Sequence, residues 1–244
     1  MPMNKRLYYF DLHCHVLPGM DDGCKSCQES TQVLLESKRQ FVVGIAATPH
    51  YYPRESVQRF LERREQAYER LKEHIQKSKL VTPKICLGAE VAYRNGISKE
   101  PMLDSLCYGE SNYLLLEMPF STWSHTVLDE VEYICLVRGI IPIIAHIERY
   151  AKFQDKKTLE RLYGMNVLIQ MNAEYYLSKE TYRKARKLLK SGIVHILGSD
   201  SHNPDVRAPD LGFAFEYMLD EGLGKEAIRI KNQNKEVFLA AFGK

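Results

Sequence analysis

His13 and His15 stand two residues apart behind the apolar run LYYF, and Asp200 and His202 stand two apart behind the run IVHIL. Imidazole and carboxylate groups are costly to bury unless paired or bound to a cation, so their placement at the ends of apolar segments needs a chemical reason. Side chains two apart in extended backbone point the same way. His13 and His15 therefore face one side while Cys14 faces the other, and Asp200 and His202 can repeat the device. Other apolar segments end alike. His50 falls in TPHYYP, Glu90 in KICLGAEV, Glu117 in NYLLLEM and His146 in IIPIIAH, while Asp22 lies in the loop LPGMDDG. A mixed nitrogen and oxygen donor set of this kind suits divalent manganese, iron or zinc.

A lone histidine at the end of a strand is ordinarily a hydrogen-bonded surface residue. That reading suits His74 and His125, within or at the start of helical stretches, and His195, packed in the last strand. The other five histidines and four carboxylates share one kind of position and are read together as a metal centre. A catalytic zinc commonly takes three protein ligands and keeps one position open. Nine donors therefore exceed one ion; they fit two ions generously, or three with a bridging carboxylate. Glu90, on a middle strand, is the choice for that bridge.

The elements that must carry these groups alternate regularly. Strands are expected at 7–12, 43–48, 84–91, 112–118, 140–146, 166–172 and 193–199, each short, apolar and bounded by turn residues, as strands buried on both faces are. Ser26 followed by Glu29 fits a capping box opening a helix over 26–40. Val57, Phe60, Leu61, Tyr68, Leu71 and Ile75 recur at helical spacing through 55–78. Further helices are expected at 124–138, 155–163, 178–191, 209–222 and 224–241, with an irregular connection around 92–111. Repeated β-then-α order favours a parallel sheet. Seven units without a composition break favour one closed (β/α)7 barrel over residues 1–244, with a doubly wound open sheet as the alternative. In a parallel barrel all the carboxyl ends of the strands face one mouth, where such folds keep their chemistry.

The bulk properties narrow the function classes. The chain has 244 residues, 45% hydrophobic and 27% charged, with a formal net charge of +3. That balance gives no case for nucleic acid or an anionic membrane surface. No apolar stretch approaches the roughly 20 residues that span a bilayer. MPMNKRLYYFD has an apolar run too short for a signal peptide, so the expected location is cytoplasmic. Cys24 and Cys27 form a C-x-x-C with no second such pair to complete a four-thiolate zinc site. All six cysteines are read as reduced thiols.

The ordered set DLHCH, LPGMDDG, ATPHYYP, GAEV, LLLEMP, AHIERY and GSDSHN, spread over residues 11 to 207, resembles the polymerase-and-histidinol-phosphatase superfamily. More narrowly, it is similar to the bacterial manganese-dependent protein-tyrosine phosphatases of capsule and exopolysaccharide operons. The resemblance implies a distorted seven-stranded barrel with three divalent ions, Mn2+ in the cell, with Fe or Zn bound in vitro. It implies that His13, His15, Glu90 and Asp200 hold one ion, that Glu90 bridges to a second held by Glu117 and His146, and that Asp22, His50 and His202 hold the third. Arg149 of AHIERY and Arg207 of NPDVRAP match the two arginines that such enzymes aim at substrate phosphate. The implied partner is a phosphotyrosine-bearing protein, the tail of a bacterial tyrosine kinase. The loop GMDDG is followed here by CKSCQES, which sets Cys24 and Cys27 near Asp22.

Bound metal ions lower the pKa of water and polarise phosphoryl oxygens, so the expected reaction is attack by a metal-bound hydroxide on a phosphomonoester. Phenolate leaves readily, because tyrosine has a pKa near 10. No cysteine begins the C-x-x-x-x-x-R pattern of thiol-dependent phosphatases. Tyr51, Tyr52, Phe120 and Trp123 are candidates for contact with the substrate ring. Three alternatives share parts of the pattern: a histidinol-phosphate or other small-molecule phosphatase, an amidohydrolase-type deaminase, and a non-catalytic metal-bearing module. The deaminases often need a metal-bridging lysine after strand four, where this chain has Glu117.

Overall fold

The structure, a computed structural model, describes residues 7–243. Lys5 and Arg6, the basic residues of the signal-peptide comparison, lie outside the described residues, as do the outermost ends of the expected 1–244 domain. The strands are β1 (Tyr9–Cys14), β2 (Val42–Ala47), β3 (His50–Tyr51), β4 (Lys84–Leu87), β5 (Glu90–Ala92), β6 (Tyr113–Glu117), β7 (Ile141–Ile144), β8 (Leu168–Asn172) and β9 (Ile196–Gly198). Every described strand pair is parallel, in the orders β1-β2-β4 and β3-β5-β6-β7-β8-β9. β9 returns to β1 through a parallel bridge between Cys14 and Ser201. The sheet is thus a curled, distorted parallel barrel rather than a doubly wound open sheet.

One expected strand is broken and another is followed by an extra one. The segment expected at 43–48 ends at Ala47, and a two-residue strand, β3, follows beyond Thr48 and Pro49; the segment at 84–91 is interrupted at Gly88 and Ala89. Pro49 cannot donate to a ladder. A Cβ on Gly88 would stand 2.4 Å from the Tyr108 ring, so the backbone there is shaped by packing. Eight short strands therefore fill the seven expected positions, and β3 is additional to them.

The helices are α1 (Cys27–Arg39), α2 (Val57–Ser78), α3 (His125–Leu136), α4 (Lys156–Tyr163), α5 (Ala173–Leu177), α6 (Tyr182–Ser191), α7 (Leu211–Asp220) and α8 (Gly224–Ala240). Ser26 caps α1 by accepting from the Glu29 N–H at 3.2 Å, and Glu29 reaches back to the Lys25 N–H at 2.8 Å. The connection around 92–111 is irregular as expected, with two short 3-10 turns. The helix expected at 178–191 is shorter at its start, and α5, directly behind β8, was not expected. Apolar side chains cover both faces of the strands. One buried cluster takes Leu12, Ala46, Cys86, Leu115, Ile143 and Ile196 from separate strands and adds Val237 and Phe238 of α8. The other is far larger and packs the remaining helices. Among the described residues no helix is long and apolar enough to cross a membrane.

Candidate metal centre

All nine proposed donors converge at the carboxyl ends of the strands. His13, His15, Glu90 and Asp200 offer ligand atoms within 4.8 Å of one another, as do His15, Asp22, His50 and His202, and also His50, Glu90 and Glu117. His146 joins through Glu90, with Nε2 2.9 Å from Glu90 Oε1 and 3.6 Å from Glu117 Oε1. Glu90 is fully buried and central: its Oε2 lies 3.2 Å from both His13 and His15 Nε2 and 3.1 Å from His50 Nδ1. His15 faces two groups at once, close to Asp200 at 3.4 Å and within the Asp22 cluster.

Local backbone fixes these positions. His13 and His15 project together from β1 and its end, as the alternation requires. Asp200 and His202 do not repeat that device, because Asp200 sits in the left-handed region at φ 54°. His146, two residues beyond β7, does so too, at φ 30°. Such conformations cost about 1–3 kcal/mol for a residue other than glycine and persist where surrounding contacts hold them. Gly198 and Gly23 are close-approach positions. A Cβ on Gly198 would fall 2.7 Å from His13 Cβ, and one on Gly23 would fall 2.4 Å from the His15 carbonyl oxygen.

The charges sort the donors. Burial alone would lower the pKa of His13, but Glu90 and Asp200 outweigh it and hold it above the ordinary value. Burial likewise opposes protonated His15, and the facing carboxylates of Asp200, Asp21 and Glu90 overcome it. Burial would raise Glu90 and Asp200, yet the facing histidines hold both carboxyls well below the usual range. Burial lowers His50 and His146, and takes His202 down to about 4 with help from His15. Glu117 is pushed up to about 7, by burial first and then by Glu90. Several of these atoms face one another without making hydrogen bonds. Glu90 Oε2, His50 Nδ1 and His202 Nε2 are buried and unbonded, although His50 Nδ1 lies 3.1 Å from Glu90 Oε2. Lone pairs gathered in this way around shared points fit divalent cations, which are bound by neutral imidazole and ionised carboxylate.

Four further residues support the proposed donors, and sequence reasoning assigned none of them a role. Asp21 Oδ2 lies 2.8 Å from His15 Nδ1 and accepts from the His50 N–H at 2.8 Å, while its Oδ1 accepts from the Gly23 N–H at 2.9 Å. Gln170 Oε1 accepts from the His146 N–H at 2.6 Å and lies 3.3 Å from His13 Nδ1. Gln170 Nε2 donates to Asn172 Oδ1 at 2.8 Å, and Asn172 Nδ2 donates to Asp200 Oδ2 at 2.9 Å. Gln170 and Asn172 are buried on β8, a strand that supplies no candidate ligand. Asp11 accepts from the His13 and Ser199 N–H groups at 3.2 and 3.0 Å and joins β1 to β9.

Arg149 and Arg207 flank the cluster, each about one-third exposed, and both contact Asp200. Tyr52 and Phe120 stand exposed beside His50 and His146, whereas Tyr51 and Trp123 are buried, so those two leave the set of candidates for ring contact. The remaining histidines are placed as expected outside the cluster: His74 lies in α2, His125 opens α3, and His195 Nδ1 accepts from the Ile169 N–H at 3.0 Å. All six thiols are free. Cys24 is buried, with its thiol pushed up to about 12 by burial.

Residues 9–240 match the family model described as capsular polysaccharide synthesis, CpsB/CapC. The chain is 32% identical over 238 residues to the tyrosine-protein phosphatase CpsB of Streptococcus pneumoniae, covering 89% of this chain and 92% of the relative. It is 28% identical over 243 residues to the tyrosine-protein phosphatase YwqE of Bacillus subtilis (strain 168), covering 94% and 91%. Its fold matches a crystal structure from work on YwqE of B. subtilis and CpsB of S. pneumoniae, there called metal-dependent tyrosine phosphatases. That match has a TM-score of 0.80 at 24% identity and covers 95% of this chain and 94% of the other.

Proposed function

The chain belongs to the CpsB/CapC family of capsular polysaccharide synthesis proteins, and from that premise we propose that it is a metal-dependent phosphatase acting on phosphotyrosine in proteins. The observation that carries the reading is the convergence of nine imidazole and carboxylate donors beside two arginines at one barrel mouth. In this reading residues 1–244 form one phosphatase domain. Three divalent ions, manganese in the cell, are held as the motif resemblance implies: the first by His13, His15, Glu90 and Asp200; the second by Glu90, Glu117 and His146; the third by Asp22, His50 and His202. His15 is close enough to serve the third group as well.

Bound divalent ions would supply a water ionised near neutral pH and would neutralise charge on phosphoryl oxygens. The protein's own residues do the rest. Each guanidinium commits one terminal nitrogen to Asp200 and keeps further planar donors for the non-bridging oxygens of phosphate, a bidentate geometry that lysine lacks. Asp21 and Gln170 accept from the Nδ1 atoms of His15 and His13, which directs each Nε2 lone pair into the cluster. The departing phenolate needs little protonation, and no general acid is assigned. The substrate is a phosphotyrosine-bearing protein, and the flexible tail of a cytoplasmic bacterial tyrosine kinase is the partner that best suits a recessed mouth, because a mobile segment enters it without unfolding a domain.

The test is an assay of the metal-stripped protein, titrated with Mn2+, Fe2+ or Zn2+, on matched phosphotyrosine and phosphoserine peptides and on histidinol phosphate. Metal-dependent turnover with a preference for the phosphotyrosine peptide is expected. A preference for histidinol phosphate would move the protein to small-molecule hydrolysis and leave its metal centre intact.

A further inference from the structure

Two aromatic side chains at the mouth are only partly taken up by packing, Phe120 lying 5.2 Å from the buried Tyr150 ring. Tyr52 is 47% exposed and Phe120 is 53% exposed, whereas their neighbours Tyr51 and Trp123 are 1% and 4% exposed. The buried pair has core partners: Tyr51 meets Phe60 edge-on at 5.3 Å, and Trp123 packs on Tyr150 at 5.6 Å and donates its indole N–H to the Pro119 carbonyl. The exposed pair lies against candidate metal ligands. The Tyr52 ring is stacked on His50, with centroids 5.0 Å apart and planes 24° from parallel; Phe120 is stacked on His146 at 6.0 Å and 22°.

Those two imidazoles address opposite oxygens of one carboxylate. His50 Nδ1 is 3.1 Å from Glu90 Oε2, and His146 Nε2 is 2.9 Å from Glu90 Oε1. Glu117 stands with them, 3.6 Å from His146 Nε2. The aromatic rings therefore stand beside the histidines that flank Glu90 and Glu117, while both arginines contact Asp200 and Arg207 also approaches Asp22 at 3.9 Å. A phosphate ester held between them has two unlike borders, one cationic and one aromatic.

We propose that Tyr52 and Phe120 are specificity-determining residues that receive the phenyl ring of a phosphotyrosyl substrate while Arg149 and Arg207 hold its phosphate. The proposal rests on the phosphatase reading above and deepens it. Aromatic rings gain from stacked or edge-on contact beyond the burial of their area. Phosphoserine has no ring to place there, and its phosphorus sits closer to the peptide backbone. The two half-exposed side chains thus sort esters by the group behind the phosphate, a task that metals and arginines cannot perform.

The test uses the full chain loaded with Mn2+. The variants are Tyr52→Leu, Phe120→Leu, the double variant and the ring-preserving Tyr52→Phe. kcat/KM is measured on matched phosphotyrosine and phosphoserine peptides, together with bound metal per chain. Each leucine variant should lose about tenfold on phosphotyrosine and less on phosphoserine, so that the selectivity ratio collapses in the double variant; Tyr52→Phe should keep the ratio. Equal losses on both esters, an unchanged ratio, or loss of metal from the leucine variants would each overturn the assignment. If the unsubstituted protein prefers phosphotyrosine and the double variant keeps that preference, the aromatic assignment alone fails. If the unsubstituted protein shows no such preference, the substrate reading fails and this proposal with it.

Discussion

Arg149 and Arg207 meet on a single atom: a terminal nitrogen of each lies 2.7 Å from Asp200 Oδ2. The residues are far apart in the chain and stand on different loops, so this shared oxygen sets the distance between two planar cations. The Asn172 amide holds the same oxygen at 2.9 Å, and the other oxygen of Asp200 faces His13 and His15 at 3.3 and 3.4 Å. One carboxylate thus ties the proposed phosphate grip to the proposed metal cluster.

Arg149→Lys and Arg207→Lys keep the charge but lose the planar fork. A hydrogen bond to a charged group contributes about 1.5–3 kcal/mol. Each variant should therefore lose roughly ten- to a hundredfold in kcat/KM and keep its full metal content. Steady-state kinetics beside elemental analysis check this. Turnover of a phosphotyrosine peptide at the parent rate in both variants would remove the phosphate role.

Glu90 contacts four of the histidines, so its removal should affect more than one ion. The saturated protein is expected to hold about three ions per chain, and Glu90→Ala should hold markedly fewer. His74→Ala, whose ring lies outside the cluster on α2, is the control and should keep the parent's content. Normal metal content in Glu90→Ala, read by elemental analysis, would reject the bridge.

Gln170 touches two candidate ligands and, through Asn172, a third. Its oxygen must face the His146 N–H and its nitrogen the Asn172 oxygen, so the carboxamide can hold only one orientation. Gln170→Leu leaves the His146 N–H and the Asn172 oxygen without these partners. Loss of such outer support typically weakens metal binding by about 10–100-fold. Competition with a chelator of known affinity would measure the change; affinity within twofold of the parent would show the contact to be incidental.

Glu117 gives a pH test with a defined sign. Its pKa rises from an ordinary 4.5 to about 7 in the folded, metal-free protein. Between those values the folded state binds the extra proton, so this residue's contribution to stability falls as pH rises through that window. Glu117→Gln should flatten that part of the slope. Denaturant melts of both stripped proteins at pH 5 and pH 7.5 would show it, and parallel slopes would contradict it. Metal binding at pH 6 should also release a proton that the variant does not release.

Eight of the nine proposed donors were legible in the sequence because they obey a one-dimensional rule, a titratable residue at or just past the end of an apolar strand; Asp22, in a loop, is the exception. His13, His50, Glu117 and His146 could each be found without knowing any contact. Asp21 could not, since it reads as the first half of a loop dipeptide and gains meaning only when His15 folds against it at 2.8 Å. Gln170 did carry a signal, a polar side chain in the middle of VLIQM. A buried carboxamide must find partners, although nothing local says that they are His13 and His146. The extra strand β3 beyond Pro49 and the break at Gly88 were missed for related reasons. β3 is only two residues long and follows a proline, while apolar content continues across Gly88, where the packing of Tyr108 interrupts the ladder.

The seam between the first and last strands is sewn through the site itself. The Asp200 N–H donates to the His13 carbonyl at 2.8 Å, the His15 N–H donates to the Ser201 carbonyl at 2.8 Å, and Ser199 reaches Asp11 across 188 residues of sequence. Contacts of such separation raise contact order, and topologies rich in them fold slowly. During synthesis, a chain still on the ribosome and short of residue 200 has His13, His15 and Glu90 but neither Asp200 nor Arg207. It has no complete proposed cluster and no pair of arginines on Asp200. The candidate centre is therefore a part of the molecule that cannot be assembled before residue 207 has been made, and on the proposed reading hydrolysis has to wait for the last strand to close the barrel.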